Sequence, residues 1–171
     1  LDILNNQVVR LDSESIPLEC ALNRCLSASV YSPISFPPFN QSAMDGYAIC
    51  GEVDEYNVNK IVQAGADASS LQLSEGEAVR IFTGAMVPAG ADRVVRQEDT
   101  SQKGNSRASQ VMPALGANIR PLGEQIEQGE LLVESNTFLT PGIIGDLAMV
   151  GVQEVKVFKK PKITLIRTGD E

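Results

Sequence analysis

From Phe36 to Leu122 glycine and proline interrupt the chain so often that no stretch sustains a helical repeat of apolar residues. A proline removes a backbone donor and fixes φ, and a glycine weakens a helix by about 1 kcal/mol against alanine, so helices of ordinary length are not expected there. Between the breaks lie short β-like runs: GYAICGEV, KIVQAG, EAVRIFTG, DRVVRQED and SQVMPAL. Such runs predict an all-β domain of irregular sheets. The polar insert QKGNSRAS, Gln102 to Ser109, is expected at a hairpin tip or in a loop. The lack of Trp and an aromatic content of 5% fit a core of small aliphatic side chains.

The flanking segments read differently. Leu1, Leu4, Val8 and Leu11 recur near helical spacing, and Ser15 before Ile16-Pro17 predicts a second helix with Leu18, Ala21, Leu22 and Cys25 on one face. Cys25 is thereby expected to pack rather than to act as a nucleophile. Leu26, Ala28 and Val30 then alternate as a short strand does. Helical spacing returns in LTPGIIGDLAMVGVQEV, where Thr140 caps, Pro141 suits the first helical position and Gly151 terminates. Its buried stripe is predicted to be Ile143, Ile144, Leu147, Ala148 and Val150, with Val152, Val155 and Val157 resuming a strand. In KITLIRTGDE the run ITLI reads as a strand buried on both faces, the kind whose C-terminal loop hosts ligands in parallel sheets. No helix follows it, so the chain is expected to be a piece of a longer protein.

Composition narrows the chemistry. With 22 acidic and 14 basic residues the net charge is -8, and no Lys/Arg cluster offers the counterion-release surface that nucleic acid requires. The short group Lys159-Lys160-Pro161-Lys162 is expected to be solvated. No apolar run has bilayer-spanning length and the N-terminus lacks a signal-peptide layout, which predicts a cytoplasmic protein without membrane contacts. Cys20, Cys25 and Cys50 lack CxxC spacing and are expected as reduced thiols. The chain has no histidine, which removes Ser–His and Cys–His catalysis and His-ligated metals. Carboxylates, Lys, Arg, hydroxyls and a hard oxygen-bound cation such as magnesium remain.

Four places carry candidate chemistry. Asp45, in SAMDGY, supports two readings: an Asp-Gly turn in which Gly46 supplies a positive φ, or an exposed carboxylate on a turn stiffened by Pro37 and Pro38 that orients a ligand or cation. Thr83, in TGA after a strand, either ends that strand or holds an oxyanion with its hydroxyl and neighbouring N–H groups. The segment is not a phosphate-binding P-loop, since the lysine and spacing are missing. Arg120 and Glu124, in NIRPLGEQI, form either a surface ion pair or an anion-binding fork with its neighbour. Asp170 and Glu171 follow ITLI, as solvated acids or as orienters of magnesium or ligand. Glu98 and Asp99, adjacent on an expected strand, face opposite ways and make no catalytic pair.

Taken together, SAMDGYAI, RIFTGAMVPAGADRVVRQEDT, NIRPLGEQIEQGELL, LTPGIIGDLAMVGVQEVKV and KITLIRTGDE resemble, in order, the MoeA-type molybdopterin molybdenumtransferases related to the E domain of gephyrin. The resemblance implies transfer of molybdenum from molybdate onto adenylylated molybdopterin, with release of AMP and help from magnesium. It implies a homodimer, with a MogA-type molybdopterin adenylyltransferase as pathway partner. The implied fold is α+β and mainly β. An elongated discontinuous α/β domain spans 1–36 and 126–155, an irregular β domain is inserted at 37–125, and 156–171 begins a truncated MogA-like α/β domain. Asp45, Thr83 and Glu171 match the family's functional positions. Asp45 and Thr83 would complete a cleft facing the partner subunit's third domain. In the GED motif Gly123 and Glu124 are kept, but Gln125 stands where the family has aspartate, and an amide cannot supply a base or an anionic metal ligand. Two rivals remain: a non-catalytic scaffold module of the gephyrin kind, and a sugar- or nucleotide-binding β domain with coincidental motifs.

Overall fold

The computed structural model describes residues 11–103 and 106–169. The expected first helix (Leu1, Leu4, Val8) and the candidates Asp170 and Glu171 lie outside them. The chain divides into two compact units, Leu1–Ile34 with Gln128–Glu171, and Ser35–Glu127.

In the first unit, strand β1 (Ser13–Pro17) pairs antiparallel with β12 (Glu154–Phe158). The helix expected from Ser15 to Cys25 is therefore not formed; only a single 3₁₀ turn, Leu18–Cys20, follows the strand. Leu18 and Ala21 are buried as the spacing required, yet one tight turn suffices to align residues three apart. The partner strand β12 overrode the local periodicity, and Leu22 is left exposed. Strand β2 (Val30–Tyr31) pairs with β11 (Leu131–Val133), shorter than the expected run from Leu26. Helix α1 (Pro141–Met149) starts and stops as its sequence dictates. The Thr140 hydroxyl accepts from Ile143 N, Pro141 opens the helix, and Gly151 sits at φ +84° past its end. Leu147 and Val150 are buried with Leu18, Leu26, Leu139, Val155 and Val157, but Ala148 is exposed rather than part of the stripe.

In the second unit a six-stranded sheet runs β7-β4-β6-β5-β9-β8, with ranges Arg93–Arg96, Gly46–Ile49, Glu77–Ile81, Tyr56–Val62, Ser106–Ser109 and Thr100–Lys103. Only β5 and β6 are parallel, and residues 63–76 carry the crossover between them without a helix. Strand β4 is buried along its whole length, because both faces of the sheet are covered. One face holds Ala48, Val62, Val79, Ile81 and Val94; the other holds Tyr47, Ile49, Tyr56, Ala78 and Val95. Strands β3 (Gln41–Ser42) and β10 (Ile119–Arg120) pair separately.

Three further expectations are corrected. SQVMPAL forms no strand beyond Ser109, as Pro113 has no donor and Val111, Met112 and Leu115 are exposed. Glu98 and Asp99 lie in a 3₁₀ turn (Gln97–Asp99), not on a strand, and Asp99 pairs with Arg96. ITLI forms no strand: Ile163, Leu165 and Ile166 are exposed, and no described strand lies beside them to supply hydrogen bonds.

Candidate functional site

The turn that carries Asp45 is tied down from three directions. Ser42 N–H donates to Ala85 O and Ser42 O accepts from Gly84 N–H, which binds the turn to the loop after β6. Ala43 N–H donates to Asn118 O, and Asp45 O accepts from Gln97 N–H. The buried Ser42 hydroxyl donates to Met44 O at 2.6 Å, closing the turn on itself. A bend with so many fixed backbone groups has little freedom left, as expected of a site built on a rigid frame.

Gly46 contributes differently from the sequence reading. It has no positive φ. It is the first residue of β4, and a Cβ placed on it would lie 1.9 Å from Val95 O. The glycine is demanded by close approach of the neighbouring strand, not by turn geometry.

Asp45 and Thr83, 38 residues apart in sequence, are in direct contact. Thr83 donates both its backbone N–H and its hydroxyl to Asp45 Oδ1, each at 2.8 Å. The oxyanion that Thr83 holds is thus the protein's own carboxylate. These donors, the backbone N–H first, draw the Asp45 pKa below its ordinary value, with a smaller contribution from the Arg80 charge. Oδ2 takes no hydrogen bond from a described residue, and Asp45 is an exposed residue, so Oδ2 is the oxygen left for a ligand. Because the folded pKa is depressed, the stability this contact contributes is in place above about pH 4 and is lost as pH falls through the lowered value. In a carboxyl ¹³C titration, Asp45 is expected to titrate below the ordinary aspartate range, and Thr83→Val to move it part of the way back. A full return would mean that the backbone N–H contributes nothing.

Arg80 fixes the same region, donating to Gly46 O at 3.2 Å and to Gln97 Oε1 while stacking on Phe82. No motif pointed to it; the signal was a charged residue among the apolar positions of EAVRI. Arg120 lies opposite Gln41 across β3–β10, beside the approach to the Asp45 turn. Leu122 N–H bonds Asn40 Oδ1, Gly123 N–H bonds Pro37 O, and Gln125 N–H bonds Phe36 O. NIRPLGEQ thereby runs alongside FPPFNQ. Arg120 and Glu124, both exposed, form no ion pair with each other. Among the described residues no group of three or more His, Cys, Asp or Glu is placed to hold a metal. One free oxygen on Asp45 falls short of the octahedral oxygen set that magnesium takes, so the described residues do not by themselves fit that ion.

The chain is similar in sequence and fold to known proteins. A molybdopterin molybdenumtransferase of Haemophilus influenzae is 35% identical over 163 residues, covering 93% of this chain and 40% of that protein. One from Nostoc is 35% identical over 183 residues, covering 99% and 42%. The crystal structure of a molybdopterin biosynthesis MoeA protein from Pyrococcus horikoshii superposes with a TM-score of 0.84 at 32% identity, covering 94% of this chain and 43% of that one. The chain thus spans about two fifths of the length of the curated relatives it matches. Residues 1–151 match the family model of the MoeA N-terminal region, domains I and II, and the chain belongs to that family.

Proposed function

We propose that the longer protein to which this chain corresponds inserts molybdenum from molybdate into adenylylated molybdopterin and releases AMP. In this reading the first unit dimerises, the second supplies the Asp45 side of the cleft, and the chain alone is inactive. The observation that carries it is the Thr83–Asp45 contact, which holds an ionised carboxylate on a rigid, exposed turn. Such a group accepts a hydrogen bond from a substrate N–H or O–H and orients it, without moving a proton itself. The names of the relatives supply the reaction class. Dimerisation through the first unit draws support from apolar side chains left in solvent: Tyr31 and Leu131 are cross-strand partners and both exposed, as is Phe138.

Asp45 and Glu171 would serve one cleft from two subunits, so a complementation assay tests the reading. In apo-enzyme reconstitution, full-length Asp45→Ala and Glu171→Ala are each expected to lose about 100-fold in activity, as misplaced substrates do. Mixed and reassembled, they should recover about a quarter of wild-type activity, since half the dimers would carry one intact cleft. Full activity of Asp45→Ala would overturn the site; no recovery on mixing would overturn the shared cleft.

A second reading has one observation in its favour. Gln125 is exposed and carries an amide where the family resemblance implies a carboxylate. It is the non-catalytic assembly module, and a full-length protein that dimerises but never completes molybdenum insertion would establish it.

A further inference from the structure

One face of the six-stranded sheet carries a groove of about 620 Å³ that includes neither Asp45 nor Thr83. The volume falls in the range of small-ligand sites. Its lining includes the buried Tyr47, and two guanidinium groups converge on that ring: Arg80 at 5.1 Å from the centroid and Arg107 at 5.0 Å. Strand register puts them there. Tyr47 lies opposite Arg80 across β4–β6, and Arg107 lies opposite Tyr56, whose side chain packs on the same face as Tyr47. Lys60 borders the groove from the strand edge, but it lies opposite Val79 and so its side chain belongs to the other face; among the described residues no acidic residue lines the groove. An ordinary solvated face mixes both signs. Two guanidinium groups on one ring without a carboxylate, in a chain of net charge -8, therefore need another account.

The two arginines are held in different ways. Arg80 is committed to Gly46 O, Gln97 and the Phe82 ring, so it is a fixed charge. Arg107 stacks on Tyr47 and donates no hydrogen bond to a described residue. A guanidinium held by its face keeps its N–H edges for a ligand, and that planar fork matches two oxygens of one oxyanion. Gln102, the register partner of Arg107 across β8–β9, lines the same groove and brings a neutral amide beside it.

We propose that this groove binds a small tetrahedral oxyanion, free or as the phosphate of an organic ligand, with Arg107 as its bidentate contact and Arg80 as a flanking charge. The inference does not rest on the proposed reaction, because the residues that carry it lie outside the Asp45–Thr83 contact. Phosphate, molybdate and AMP, titrated separately into the full chain at constant ionic strength and followed by calorimetry and amide NMR, test it. At least one should bind saturably with Kd below about 1 mM and shift the Gln102 and Arg107 amides. Arg107→Gln should weaken that binding about tenfold or more, while Arg96→Gln, an exposed arginine outside the groove, leaves it unchanged. Binding of the inorganic ions identifies a free oxyanion, and binding of AMP alone identifies an organic phosphate. Should Arg107→Gln fail to fold, Arg107→Lys decides, since it keeps the charge and the alkyl stem but loses the planar fork, and should still weaken binding. No saturable binding of any of the three, or binding by the Arg107 variant equal to that of the parent, overturns the site.

Discussion

Gly46→Ala is expected to destabilise the second unit by about 3 kcal/mol or more, read as a lowered urea midpoint at unchanged slope. The added methyl would sit 1.9 Å from Val95 O and 3.1 Å from Arg96 Cα, both backbone atoms of β7. Backbone cannot rotate aside as a long side chain does, so relief requires β4 and β7 to separate. That separation would break the pairing of Gly46 with Arg96 and of Tyr47 with Val95, at the start of a strand buried along its whole length. Gly145→Ala provides the comparison. A Cβ there meets nothing within 4 Å, and alanine is the better helix former, so α1 should be stabilised by up to about 1 kcal/mol. If Gly46→Ala came within about 0.5 kcal/mol of the parent, the close approach could not be a constraint.

The second large effect belongs to Arg93, whose side chain is only 3% exposed. Asp92 Oδ1 accepts from Arg93 Nε at 2.8 Å, and Asp92 Oδ2 accepts from Gly51 N–H at 2.9 Å. Arg93 also donates to Pro113 O and to Glu52, which is 66% exposed. Asp92→Ala would leave a covered guanidinium N–H and a backbone N–H without partners. The expected loss is about 2–3 kcal/mol, below the full figure for a deeply buried pair because water reaches the cation from the Glu52 side. Glu52→Ala, which removes only the solvent-facing partner, should cost less than about 1 kcal/mol. Equal losses in the two variants under chemical denaturation would show that burial does not distinguish the partners.

What could be read along the chain was what the chain decides locally. Thr140, Pro141 and Gly151 act within one turn of the helix they bound, so α1 was legible to its ends. Strands β4, β6 and β7 were legible because glycines and polar breaks bracket their apolar runs. Ser13–Pro17 was misread because its conformation comes from β12, more than a hundred residues later. Gly46 was assigned to the right place for the wrong reason, since only the fold brings Val95 against it. Asp45 and Thr83 were each identified by motif, but their hydrogen bonds exist only because β4 pairs with β6. Arg80 and Arg107 carried no motif, and only register gathers them around Tyr47.

The way the chain enters and leaves the second unit also bears on how such a protein can be rearranged. Phe36 O accepts from Gln125 and Ile126, while Ser32 bonds Gly129 and Glu130 on the other side of the junction. Each passage out is thus stitched to the passage back, and the two cut ends would be neighbours on either side. Residues 35–127 are a cassette whose ends already meet, so a homologous cassette, or a short linker, can take their place without stretching the remainder of the first unit.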